Sequence, residues 1–196
     1  MRVIAALLLA GLLVGSLQAA DDTPKPPDGW KEYVAKDKSF TVWLPENQGK
    51  PEEKLTNEVL KKGVSLRFTT VAIEEKDGPR FEAGAVLVMP YGGDFAKLKS
   101  ATRVEILRDF IVAGSKGKLG DDKEVKQRRV PGREFFIQTE NTIYRHRVYA
   151  FADRFFVVSV LGTKEQVKSK EADIFLDSYK IPENYTGPLE KEKKDK

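Results

Sequence analysis

The stretch from Pro131 to Ile181 limits the possible folds more than any other part of this 196-residue chain. Arg133–Thr139, Ile143–Ala152 and Arg154–Leu161 are rich in aromatic and β-branched residues, the composition that suits a pleated, half-buried surface. Lys123–Val130 precedes them as a fourth strand, with Pro131-Gly132 read as a turn. The connections are only a few residues long. Parallel neighbours need a crossover of a dozen or more residues, so these strands are predicted to form an antiparallel meander. Thr163-Lys164-Glu165-Gln166 then has the form of a capping box, in which the Thr163 hydroxyl and the Gln166 side chain satisfy each other's backbone amides. Val167, Ala172, Phe175, Leu176 and Tyr179 recur on one face of the helix that follows, and Ile181-Pro182 stops it.

The first half is punctuated in the same way. Trp30–Ala35 reads as a short strand. Phe40, Val42 and Leu44 alternate with Thr41 and Trp43, the pattern of a strand with one buried face. Glu53–Leu60, Val64–Glu74 and Phe81–Met89 are the next strands, joined at Lys61-Lys62-Gly63 and Asp77-Gly78. Asp94 is placed as the N-cap of a helix running to Gly114, with Leu98, Ala101, Ile106, Leu107, Phe110 and Ile111 at helical spacing. Gly117 and Gly120 are expected to loosen the chain behind it. This order predicts an α+β fold, a mostly antiparallel β-sheet with one helix packed on each face.

Residues 1–20 have the composition of a secretion signal. Arg2 supplies the positive start, Val3–Val14 is apolar, and Gly15–Ala20 is a small-residue exit. The apolar block is short of the roughly 20 residues that span a bilayer. Cleavage after Ala19 is favoured over Ala20. A flexible linker over 21–29 follows, then a single domain over 30–182, then a disordered charged tail over 183–196. The linker carries three prolines and no large apolar residue.

The chain has no cysteine, so neither a lipid anchor nor a disulfide is available and the domain relies on its core. The expected location is therefore secreted or periplasmic, with no stable membrane anchor after cleavage. Without Arg2 there remain 33 basic against 30 acidic residues. That near-balance points away from nucleic acid.

His146 is the only histidine. It cannot complete a metal set without a second histidine or a cysteine, so no metal and no cofactor is expected. Ser159 and Ser178 lack a nucleophile-elbow pattern. The charges of Arg145 and Arg147 are expected to depress the His146 pKa, so no catalytic residue is assigned. Arg145 and Arg147, two apart on one strand, share a face, and Arg133 lies on the neighbouring strand. Together they form the candidate binding patch for an anionic ligand. Strand arginines more commonly pair with carboxylates, here Glu134, Glu140, Asp153 or those of the helix. Asn184-Tyr185-Thr186 fits a glycosylation acceptor only in a eukaryotic host.

Trp30-Lys31-Glu32-Tyr33 with Phe40-Thr41-Val42-Trp43-Leu44-Pro45 resembles the opening of a group of small exported bacterial proteins. Pro131-Gly132-Arg133-Glu134, Tyr144-Arg145-His146-Arg147-Val148-Tyr149 and Ala172-Asp173-Ile174-Phe175-Leu176-Asp177-Ser178-Tyr179 resemble that group's later signatures. The resemblance spans about Trp30 to Ile181 and implies a PsbP-like α/β/α sandwich. It carries over no catalytic residue, and a shared fold transfers no function. The expectation is an exported, non-enzymatic module that binds an envelope protein or a small ligand. The alternatives are an envelope hydrolase with a non-local site and a structural or assembly component.

Overall fold

The computed structural model describes residues 24–59, 65–74, 76–89, 97–151 and 153–182. The expected signal, the glycosylation acceptor at Asn184 and the charged tail lie outside these residues. So does the proposed cap at Asp94.

Among the described residues nine strands form two antiparallel sheets. A hairpin of β1 (Trp30–Val34) and β2 (Thr41–Pro45) stands apart from a seven-stranded sheet. The large sheet comprises β3 (Glu52–Val59), β4 (Ser65–Glu74), β5 (Arg80–Met89), β6 (Lys118–Gln127), β7 (Val130–Gln138), β8 (Ile143–Phe151) and β9 (Arg154–Gly162). Their order is β3-β4-β5-β9-β8-β7-β6. The meander β6 to β9 is therefore present, and its last strand joins the first half of the chain by pairing with β5.

Alternation along each strand divides the sheet into two apolar surfaces. On β8, Val148 and Ala150 enter one core cluster and Tyr149, between them, enters the other. The first cluster packs beneath helix α1 (Ser100–Ser115), where Val104, Phe135 and Ile137 are buried and Leu107 and Ile111 pack against them. The second is covered by three elements, namely the β1–β2 hairpin and helices α2 (Lys164–Val167) and α3 (Lys170–Ser178). Phe40, Phe81, Phe175 and Tyr179 are fully buried there, and the Phe40 and Tyr179 rings stack 5.4 Å apart. The hairpin is stitched to the end of α3. The Thr41 and Lys180 backbones exchange two hydrogen bonds, and the Trp43 amide donates to Ser178 Oγ at 2.9 Å.

Several local expectations are corrected. The turn between β6 and β7 sits at Arg128-Arg129, with Arg128 in the left-handed region at φ 55°. Gly132 instead lies inside β7, opposite Tyr149. A Cβ there would come within 2.4 Å of the Tyr149 ring and 2.5 Å of the Val148 carbonyl. Glycine is required because the tyrosine lies across the backbone. Strand β6 begins at Lys118, ahead of the expected Lys123, and passes Gly120 by shifting register between Leu119 and Asp122.

The helices differ from expectation too. The capping box at Thr163 forms as read, but α2 ends after one turn and Ser169 caps α3 afresh, its hydroxyl accepting from the Ala172 amide. The predicted single closing helix is two. In α1 the sheet-facing positions are Val104, Leu107 and Ile111, whereas Ile106 and Phe110 stand out from the sheet.

A candidate ligand-binding groove

Strand β8 sends successive side chains to opposite faces, which settles where the three candidate arginines lie. Arg145 and Arg147 point to the α3 face. Arg133 belongs to the α1 face, where its Nε donates to Asp122 at 2.8 Å. Asp122 also accepts from Arg108 of α1 at 2.7 Å, so this trio ties α1 to β6 and β7. The expected three-arginine patch is split between the two faces.

Arg145 and Arg147 are also each paired with two carboxylates. Both donate to Glu134, which lies directly across from Arg147 on β7 and is only 2% exposed. Lys123 of β6 approaches the same carboxylate at 2.9 Å. From the other side, Arg145 reaches Asp173 at 2.7 Å and the Val167 carbonyl at 3.2 Å, and Arg147 reaches Asp177. Burial alone would raise the Glu134 pKa. Hydrogen bonds from Arg147 and Lys123 and the Arg147 and Arg145 charges outweigh it and hold the carboxyl below its usual value. Asp173 and Asp177 are one helical turn apart, so the network fastens α3 to β8 and β7. Glu134, Arg145, Arg147, Asp173 and Asp177 all fall in the signature stretches, which therefore encode a strap for the fold.

His146 points the other way, into a groove of about 400 Å³ between α1 and the half of the sheet that α1 leaves uncovered. Leu107, Phe110 and Ile111 of α1 form one wall. Phe68 of β4, Val86 of β5 and Val157 of β9 form much of the floor. At the open end the charges are mutually compensated. Arg80 donates to Glu82 at 2.7 Å and to Glu74 at 3.2 Å, and Lys54 lies 3.3 Å from Glu52. The volume and the apolar lining with few polar groups match those of small-molecule sites, about 300–1,000 Å³.

The polar feature of the groove is a cross-strand pair. His146 and Ser159 are direct partners in the β8–β9 register, and His146 Nδ1 lies 2.7 Å from Ser159 Oγ. The imidazole sits between the rings of Phe135 at 5.2 Å and Tyr144 at 5.7 Å and is 8% exposed. Burial in this apolar setting lowers its pKa to about 4. The direction agrees with the sequence expectation, but the cause is desolvation, because the flanking arginines face away from the ring. The ring is therefore neutral near pH 7. Among the described residues His146 Nε2 has no hydrogen-bond partner, and no group of three or more histidines and carboxylates is placed to hold a metal ion.

The apolar walls of the groove were not marked as a site by the sequence, because Phe68, Val86, Leu107, Phe110, Ile111 and Val157 are ordinary core residue types. Two signals pointed toward it. Ile106 and Phe110 lie off the Val104–Leu107–Ile111 line, so α1 has more apolar surface than the sheet beneath it can cover. Ser159 is the lone polar residue between Phe155 and Leu161, and it is aligned with the lone histidine of the next strand.

No family model matches this chain, and no curated protein matches it significantly. Among solved structures it is similar to the solution structure of cyanobacterial PsbP (CyanoP) from Synechocystis sp. PCC 6803. The identity is 11% and the TM-score 0.50, over 86% of this chain and 99% of that one. At that identity the likeness speaks for architecture alone. The mostly antiparallel sheet with few helices is a PsbP-like fold.

Proposed function

We propose that this protein is an exported, non-enzymatic binding module whose groove between α1 and the sheet takes a small apolar ligand. The observation that carries the reading is the cavity of about 400 Å³, walled by Phe110 and floored by Phe68 and Val86, with the buried His146–Ser159 pair at its base. An apolar recess that is left open on an otherwise packed domain is the default place for a ligand. Export is supported by the composition of residues 1–20.

The same pair weighs against the hydrolase alternative. A serine nucleophile needs a base that takes its proton and a third group that orients that base. Here the nitrogen facing the serine belongs to a ring whose burial makes it a weak base, and no carboxylate among the described residues hydrogen-bonds that ring. The arginine-rich strand supports no anionic site, because its cations are matched by Glu134, Asp173, Asp177 and Asp122.

Titration with N-phenyl-1-naphthylamine, which fluoresces in apolar surroundings, tests the groove. Binding is expected for the native chain and is expected to vanish in Val86→Trp, which fills the floor. Binding that survives this substitution would place the probe elsewhere and end the groove reading. Hydrolysis of p-nitrophenyl acetate that disappears in His146→Ala would overturn the non-enzymatic reading.

A further inference from the structure

Resting on that reading of the groove, we infer the chemical class of its ligand. It is an uncharged lipophile with a single hydroxyl, its body packed against Phe68 and Phe110 and its oxygen bonded to His146 Nε2. Three independent features of the groove lead there.

The first is the unspent nitrogen. His146 is more than nine-tenths buried and lines the groove, Nδ1 is taken by Ser159, and Nε2 has no partner among the described residues. Nε2 is open to the groove, so a lipophile that seals the groove from water must itself supply a partner, because a polar atom sealed off without one is costly. The second is the charge balance. Arg80 is held by two carboxylates and Lys54 by one, so neither offers a free cation to an anionic head group. Glu82 and Glu52 are matched in the same way, so neither calls for a cationic one. The neutral ring of His146 gives no counter-charge at the base. An ionised ligand would lose its water there and find no opposite charge in exchange.

The third feature selects the functional group. Either His146 donates from Nδ1 and Nε2 accepts, or Ser159 donates and Nε2 carries the proton. A hydroxyl both donates and accepts, so it complements either tautomer, whereas a carbonyl suits only one.

Four probes of one shape test the inference: naphthalene, 1-naphthol, 1-naphthoate and 1-naphthylmethylammonium, titrated at pH 7 against the full chain. Naphthol is expected to bind about fivefold tighter than naphthalene, the gain from one hydrogen bond. Both charged probes are expected to bind at least about tenfold more weakly than naphthol. In His146→Leu, naphthol and naphthalene should become equal while naphthalene still binds.

If naphthoate or the ammonium matches naphthol, or if the native chain holds naphthalene as tightly as naphthol, the inferred class is wrong while the groove reading stands. If none of the four binds, or if binding persists in Val86→Trp, the groove reading fails and the inference with it. The selectivity of the native chain decides the matter even if the leucine variant does not fold.

Discussion

On the α3 side of the large sheet, Phe40, Phe81, Phe175 and Tyr179 have no solvent exposure, and three elements cover the strands. On the α1 side, one helix among the described residues lies over β7 and β8, and Phe110 on that helix is 67% exposed. The same strands supply both surfaces, so the difference does not come from strand composition alone. It comes from how much covering structure the chain spends on each face. Where the hairpin, α2 and α3 converge, side chains are locked by packing and by the Glu134 network. Where α1 ends its coverage, the apolar floor continues into an open groove. One face is closed by packing, and the other leaves apolar surface open.

Two phenylalanines test this contrast most severely. The Phe175 ring is fully buried, 4.8 Å from Phe81. Phe175→Ala leaves a cavity that the hairpin cannot fill, and a loss of about 3–5 kcal/mol is expected in urea unfolding. Phe110→Ala removes a ring that is already mostly in water, and stability should change by no more than about 0.5 kcal/mol. Its effect is expected in ligand affinity, because it removes one wall of the groove. Comparable destabilisation by both would show that the α1 face is as tightly integrated as the other.

Acid titration sharpens the same comparison, because His146 on one face and Glu134 on the other are buried groups whose pKa values are lowered for different reasons. His146 has a folded pKa of about 4, below the ordinary value of 6.5. As pH falls through 6.5 the unfolded chain takes up a proton that the folded chain refuses. Stability therefore drops from about pH 6.5 to about pH 4, by up to about 3 kcal/mol for this group, and the loss is complete below that range. Glu134 is held below its ordinary 4.5, so its contribution is present above about pH 4.5 and is lost only as pH falls through the lower folded value. His146→Leu should flatten unfolding free energy between pH 6.5 and 4. Glu134→Gln should leave that slope in place and weaken the dependence at lower pH, where Asp37 and Asp122 are also held below their usual values. A slope between 6.5 and 4 that persists in His146→Leu would show that another group carries it.

Much of this architecture was legible because its signals are local. Alternation in Phe40–Leu44 and in the runs from Lys123 to Leu161 gave the strands, and Thr163 with Gln166 gave the start of α2. What escaped was set by contacts between distant residues. Gly132 reads as a turn beside Pro131, and only the Tyr149 ring across the ladder explains why it is glycine inside a strand. Arg133 belongs with Arg145 and Arg147 by proximity in sequence, yet cross-strand register puts it on the other face, beside Asp122. Counting residues along one strand fixes which of its side chains share a face. It does not fix which face a neighbouring strand's residues share with them. The groove was hidden for a related reason. It exists where α1 stops covering the sheet, a property of helix placement that no single residue encodes.

The mildest test applies one substitution to both faces. Gly132→Ala puts a methyl group against the Tyr149 ring and the Val148 carbonyl at distances no relaxed structure tolerates, so it should destabilise by about 1–3 kcal/mol. Gly114 lies in the last turn of α1 with no atom within 4 Å of where a Cβ would stand. Glycine within a helix is disfavoured relative to alanine by about 0.5–1 kcal/mol, mainly through the freedom it has when unfolded. Gly114→Ala should therefore stabilise the protein, by about 0.5 kcal/mol because helix ends fray. Ligand affinity should be unchanged, since the groove is lined by Leu107, Phe110 and Ile111. A gain in stability at the cost of binding would mean that the groove depends on looseness in the end of α1. In that case its shape would be set by the motion of the helix as well as by its position.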